Sequence, residues 1–200
     1  GDPFIPEAYE EERIAILGLY EGKGFANTTV DVVAERVGPS RMRLIYTIQE
    51  GQKAKIRSIN FEGNDTLTGR KLRKLMATKR SWWFLGGKYE EEKLEFDLQQ
   101  IINNYGDFGR LEAEITKTDL LYSENGKKMD LTIHVQEGAE YKLDNLEIAG
   151  NAVFDDDELL EQVEVTAGEV HNKSQVEKDA VELQDGYQSS GYVAANVSPV

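Results

Sequence analysis

Gln49-Glu50-Gly51, followed a few residues on by Ile59-Asn60-Phe61-Glu62-Gly63-Asn64, is the stretch that decides the fold, because both parts return. Gln136-Glu137-Gly138 and Leu146-Glu147-Ile148-Ala149-Gly150-Asn151 stand 87 positions later. A second marker occurs three times, as Tyr20-Glu21-Gly22-Lys23-Gly24-Phe25, Tyr105-Gly106-Asp107-Phe108-Gly109-Arg110 and Tyr187-Gln188-Ser189-Ser190-Gly191-Tyr192, at spacings of 85 and 82. A period near 85 residues means that one module is used more than once, so the chain reads as an array of small domains.

Residues 51–138 hold one complete module. Ala54, Ile56, Ile59 and Phe61 predict a strand whose alternation slips once, and Tyr141, Leu143, Leu146 and Ile148 slip at the same place, which argues for a shared bulge or bend. Thr68–Met76 predicts a short helix with Leu72, Leu75 and Met76 on one face, capped by Asp65-Thr66 or Thr68. A longer helix is expected over Glu90–Tyr105, where Leu94, Leu98, Ile101 and Tyr105 share a face; Val176, Ala180, Leu183 and Tyr187 repeat it at a constant 82. Glu90, Glu91 and Glu92 suit the positive end of its dipole. Leu111, Ala113 and Ile115, then Met129, Leu131, Ile133 and Val135, alternate with polar residues and predict two strands, joined through the hairpin signal Asn125-Gly126. The module is therefore β-α-α-β-β, an α+β unit with a three-stranded sheet covered on one face by two helices.

The same grammar divides the rest of the chain. Residues 1–50 give the end of a module, with a helix near Pro6–Glu21 and strands near Thr28–Arg36 and Met42–Gln49. Residues 139–200 give a first strand, helices over Asp156–Val163 and Ser174–Ser189, and a strand over Val193–Val200, without a last strand. The chain reads as a segment of a longer protein, with surfaces at both ends that a complete module would pair.

Composition narrows the function classes. The 200 residues carry a formal charge of −14, which argues against nucleic-acid binding, since phosphates need clustered Lys and Arg. Residues 1–50 carry 5 basic and 9 acidic groups, residues 51–138 carry 15 and 14, and residues 139–200 carry 3 and 14. The middle module is the electrostatic exception. Its Arg70, Lys71, Arg73, Lys74, Lys79 and Arg80 are either a solvated helix face or a lure for an acidic partner or anionic lipid head groups. No apolar run approaches the roughly 20 residues of a helical membrane span. With no cysteine, disulfides and thiolate metal sites are excluded. His134 and His171 lie in different modules and suggest neither a metal site nor a catalytic triad. Gly22-Lys23-Gly24 is a helix stop rather than a nucleotide loop, and Asp155-Asp156-Asp157-Glu158 is a cap and first helical turn rather than a calcium loop. No catalytic residue, cofactor or metal is expected.

The element order, Glu-Gly-x-x-Tyr/Ala-Lys before the first strand, Gly-Asn after it, and Tyr-x-x-x-Gly-Tyr at the end of the long helix together resemble the polypeptide-transport-associated (POTRA) repeat. Trp82-Trp83-Phe84-Leu85-Gly86-Gly87-Lys88-Tyr89, between the two helices, resembles the tryptophan-containing insertion of the third POTRA repeat in the periplasmic arm of BamA-type outer-membrane protein assembly factors. Phe108-Gly109-Arg110 departs from the Gly-Tyr of the family pattern. The resemblance covers essentially the whole chain. It implies tandem repeats with a three-stranded mixed sheet, the three pieces being the end of the second repeat, the third, and most of the fourth. It also implies a periplasmic position at the inner face of the outer membrane, a C-terminal membrane barrel beyond this chain, no enzyme activity, and two kinds of partner: unfolded outer-membrane proteins and accessory lipoproteins.

A small sheet has exposed edges, and an edge strand offers unpaired N–H and C=O groups to an extended chain of any sequence. The resemblance implies that the second strand of each repeat is the free edge, here Gly109–Lys117, Thr28–Glu35 and Val193–Val200. The expected client strip is Arg110, Leu111, Glu112, Ala113, Glu114, Ile115 and Lys117, acting mainly through backbone, although Glu112 and Glu114 also read as protection against aggregation. Trp82, Trp83 and Phe84, with Arg70, Arg73 and Lys74, are the expected partner-docking residues, since aromatic anchors dominate interface energetics. The tryptophans have a second reading, in which the loop folds them back over the helix pair or the next repeat. Two other functions remain open: the arm of a relative dedicated to secretion of one substrate or of another translocation barrel, and an acidic α+β enzyme domain whose mark would be a concave pocket with converging carboxylates.

Overall fold

The computed structural model describes residues 9–83 and 85–199. Its elements are α1 (Glu10–Gly22), β1 (Phe25–Ala26), β2 (Thr29–Gly38), β3 (Arg41–Gln49), β4 (Gln52–Lys53), β5 (Lys55–Glu62), α2 (Gly69–Leu75), α3 (Glu91–Gly106), β6 (Glu114–Tyr122), β7 (Lys128–Gln136), α4 (Asp156–Leu160) and α5 (Lys173–Ser189). The expected helix start at Pro6 lies outside the described residues. The chain divides into two compact units: the residues up to Glu62 with Arg73–Asp97 and Lys117–Ile133, and Gly63–Leu72 with Leu98–Thr116 and the residues from His134.

The first unit holds an antiparallel β2–β3 hairpin in which Val30, Val32 and Ala34 are buried on one face, and the short β1–β4 pair. The three-stranded sheet has the order β5-β7-β6. Lys55 N–H donates to Lys127 O (3.0 Å) and the Ser58 hydroxyl to Asp130 (2.5 Å), a constant separation of 72 residues, so β5 runs parallel to β7. The β6–β7 connection is the expected hairpin, closed by Ser123 N–H to Lys128 O (2.8 Å), with Gly126 at φ 66°. The sheet is therefore mixed. Met129, Leu131, Ile133 and Val135 on β7 are buried, as are Leu94, Ile101 and Tyr105 on α3. Alternation on one element and a helical stripe on the other meet the expectation from sequence. On β5 the buried positions are Ile56 and Ile59, so the slip in alternation is real, while Phe61 is half-buried. Thr68, not Asp65, caps α2, through its carbonyl and hydroxyl to Lys71 N–H.

Arg57 on β5 pairs with Asp130 on β7, which also accepts from Ser58. The guanidinium hydrogen bond holds the Asp130 carboxyl below the usual carboxylate range. The folded state thus binds fewer protons than the unfolded chain, so this contribution is complete above the unfolded value of about 4 and is lost as pH falls through the depressed folded value. Arg57→Ala is expected to flatten the acid limb of the stability profile, as read by denaturant titration between about pH 5 and 2; an unchanged limb would contradict the pairing.

The last repeat departs from expectation. Its two helices form, and Asn172 caps α5 by accepting from Gln175 N–H (3.0 Å). The expected strands over Tyr141–Ile148 and Val193–Pro199 do not form; the former shows one isolated bridge, Lys142 to Val170. Val200 lies outside the described residues. In the middle repeat both outer strands pair with β7. Among residues 139–199 no strand stands where β7 stands, and extended segments without a ladder partner remain irregular.

Candidate interaction edges and a tryptophan hairpin

All three Tyr…Gly markers are helix stops built alike. Gly24, Gly109 and Gly191 have φ of 85°, 70° and 97°, and each N–H donates to the carbonyl of the residue after the tyrosine: Glu21 (2.8 Å), Gly106 (3.3 Å) and Gln188 (3.0 Å). This is the glycine-terminated helix end that satisfies orphan carbonyls. Phe25 and Tyr192 pack edge-on against Tyr20 and Tyr187, at 5.7 and 6.3 Å. Arg110 stands at this position in the middle repeat and acts differently. Its guanidinium donates to Thr66 Oγ1 (3.1 Å) and Gly138 O (2.9 Å) and lies 3.7 Å from Glu140.

The Gln-Glu-Gly motifs are the other half of the same joints. Ala54 N–H donates to Gly24 O and Tyr141 N–H to Gly109 O, both at 2.9 Å, and Gly51 and Gly138 take φ near 70° beside those turns. The Tyr141 hydroxyl donates to Glu112 (2.7 Å), which raises the phenol's pKa. Tyr20, Tyr89, Tyr105 and Tyr122 are shifted up by burial first; Tyr105 lies next to the charge of Glu137, and Tyr122 is pushed up to about 12 and donates to Glu21 O (2.7 Å).

The expected client strip is only partly a strand. Glu114, Ile115 and Lys117 lie on β6, which stands at an edge of the sheet. Arg110, Leu111, Glu112 and Ala113 do not, which corrects the expected strand start at Gly109. The helix stop and the turn closed by Ala113 N–H to Arg110 O (3.2 Å) come first, and Arg110 and Glu112 are engaged at the joint. In exchange β6 continues to Tyr122. On the strand Lys117 pairs with Asp119 (2.7 Å).

On the opposite edge, β5 is partly covered. Ser81 N–H donates to Ile56 O (2.7 Å) and Ile56 N–H to Gly87 O (2.8 Å), so the base of the Trp82–Leu85 loop adds itself to the sheet. Trp82 and Leu85 exchange backbone hydrogen bonds of 2.9 and 3.0 Å, which makes the loop a tight hairpin. Trp82, Trp83 and Leu85 are 74%, 84% and 79% exposed. The reading in which the tryptophans fold back over the helix pair is therefore corrected: both stand exposed on a hairpin closed by its own backbone hydrogen bonds. Phe84 lies outside the described residues. Of the basic candidates, Arg70 and Lys74 are exposed, while Arg73 donates to Ile59 O (3.0 Å).

Sequence reasoning missed a pair of buried acids. Asp97 accepts from Ala77 N–H (2.5 Å) and Thr78 N–H (2.7 Å), and Asp179 accepts from Glu164 and Val165 N–H (both 3.0 Å). Each carboxylate closes the connection between the two helices of its repeat. Aspartate in a buried helix stripe carries no local signal, but the constant spacing of 82 pairs these two residues. In the last repeat a groove of 530 Å³ is lined by Leu146, Ile148, Val176, Leu183 and Val197, and its one buried acid is Asp179, already committed to backbone. Among the described residues no group of His, Asp and Glu is placed to hold a metal ion, and no helix is long and apolar enough to cross a membrane.

One mixed three-stranded sheet with paired helices stands in the middle of a chain whose helix stops and joints recur, and a single family profile accounts for both the complete and the last repeat. That profile, described as POTRA, surface antigen variable number repeat, matches residues 54–138 and again 141–200. The chain belongs to the POTRA family. Among curated proteins it is 27% identical over 192 residues to the outer membrane protein assembly factor BamA of Neisseria meningitidis, covering 92% of this chain and 24% of that protein. It is 29% identical over 198 residues to a putative outer membrane protein assembly factor of Treponema pallidum, covering 97% and 24%. The chain thus spans about a quarter of the length of these relatives. In fold it is similar to the crystal structure of Haemophilus influenzae BamA POTRA3-5, with a TM-score of 0.50 at 19% identity, covering 96% of this chain and 73% of that one.

Proposed function

We propose that this chain is part of the periplasmic arm of an outer-membrane β-barrel assembly factor, composed of the end of one repeat (1–50), a complete repeat (51–138) and a repeat without its last strand (139–200). The arm binds unfolded outer-membrane protein clients by strand addition and scaffolds accessory lipoproteins beside a membrane barrel that follows in the full-length protein. The relatives' role in outer membrane protein assembly supports the setting. The observation that carries the mechanism is the asymmetry of the middle sheet, in which the Ser81 and Gly87 backbone occupies the outer side of β5 at Ile56, while β6 stands at the other edge. Strand addition supplies affinity from main-chain groups and tolerates varied side chains, as a receptor for many clients requires. Lys117 and Asp119 keep that edge charged, which discourages edge-to-edge pairing between copies of the protein itself.

Backbone amide shifts on titrating isotope-labelled protein with a peptide from an outer-membrane β-strand test this reading. They are expected along Glu114–Tyr122 and not on β5. Shifts confined to the helices, or absent at millimolar peptide, would sink it. Tight binding of a single secreted protein, with no response to assorted barrel strands, would instead favour an arm dedicated to one substrate.

A further inference from the structure

From Thr66 to Tyr89 the chain carries seven basic residues and no acidic one, within a protein of 37 acids and net charge −14. The tryptophan hairpin lies inside this stretch. Trp82, Trp83 and Leu85 form an apolar tip that no described residue covers, the two tryptophans being more exposed than Phe96 at 61%. The tip is not slack. The stem is sewn to β5 through Ile56, Trp83 is held at φ 54°, and Gly87 (φ 74°) could not carry a side chain, because a Cβ there would stand 2.4 Å from Ser81 Cβ. Arg80 directly precedes the hairpin and Lys74 lies on the last turn of α2; both are exposed.

We propose that this hairpin is an interfacial membrane anchor, seating Trp82, Trp83 and Leu85 at the head-group level of a bilayer that contains anionic lipid. Amphipathic indole rings favour the boundary between head groups and acyl chains. Lys and Arg held just outside that boundary are attracted to anionic head groups. A small apolar tip with a few charges gives reversible rather than permanent attachment, because neither alone buries enough surface. Charge selects this occupant: an apolar protein groove would be met by the tip alone, whereas exposed Arg80 and Lys74, with no acidic residue between Thr66 and Tyr89, match a negatively charged plane. The inference rests on the membrane setting proposed above but not on strand addition, so the two can fail separately.

The only two tryptophans in the chain are Trp82 and Trp83, so intrinsic fluorescence reads the tip directly. Mixing the full chain with phosphatidylcholine vesicles containing phosphatidylglycerol is expected to shift the emission to the blue and carry the protein down with the vesicles. Pure phosphatidylcholine should do so much less. Trp82→Ser/Trp83→Ser should abolish sedimentation, and Arg80→Glu should weaken it by more than about fivefold, the value of one charge at an anionic surface, with circular dichroism unchanged for both. The proposal is overturned if neither vesicle shifts the emission, if both shift it equally, or if the tryptophan variant sediments as the parent does. A blue shift produced by the soluble part of an accessory lipoprotein, with none from vesicles, overturns it in favour of a protein partner.

Discussion

Asp97→Ala is expected to destabilise the middle repeat by about 3 kcal/mol, since a buried carboxylate that accepts two backbone N–H groups is replaced by nothing that can. Asp97 is fully buried and Thr78 nearly so. Thr78 N–H is buried, so the cost includes stranding that donor as well as losing the charge-assisted bonds to Ala77 and Thr78. Asp97→Asn keeps one acceptor oxygen and is expected to lose roughly half as much. Denaturant titration followed by circular dichroism measures both. A change within about 0.5 kcal/mol for the alanine variant, typical of an inconsequential surface site, would remove the clamp from the account.

Gly63→Ala and Gly150→Ala should separate sharply although the two glycines are repeat equivalents. Both have positive φ, at 76° and 86°, where a side chain costs of order 1 kcal/mol. At Gly63 a Cβ would also stand 2.2 Å from Val135 O, so the chain must move away from β7; at Gly150 nothing lies within 4 Å. We expect a loss of 3 kcal/mol or more (roughly) for the first and about 1 kcal/mol for the second. Equal losses would mean that the close approach to β7 relaxes without cost and that left-handed backbone alone sets the requirement.

Most of the fold is legible in the repeat period alone. The helix stripes, the Asn125-Gly126 hairpin and the glycine stops follow from local rules that tertiary packing does not overrule here. What was hidden has identifiable reasons. Leu111, Ala113 and Ile115 alternate through a turn and into a strand without a break, so periodicity placed the strand start several residues early. Tyr141–Ile148 and Val193–Pro199 alternate as strands do, but alternation is a property of a segment and a ladder is a property of a pair. Trp82 and Trp83 have the hydrophobicity of core residues, and only the hairpin geometry decides that they face outward. Of the candidate site, the choice of β6 as the edge came through the family resemblance, whereas the covering of the other edge by the Ser81–Gly87 stem was not legible at all.

The two buried aspartates also bear on how such arrays diversify. In the middle repeat the clamp joins Thr78 to Asp97, 19 residues on, and in the last repeat it joins Val165 to Asp179, 14 residues on. The whole difference between the spacings of 87 and 82 falls inside this closed loop, where the middle repeat carries its hairpin. A loop tied at its base by a carboxylate can lengthen or shorten without disturbing the helices on either side. The position behaves as a socket: one copy of a duplicated module can acquire a specialised attachment there while its neighbours keep the plain connection, and a transplanted hairpin should fit the last repeat for the same reason.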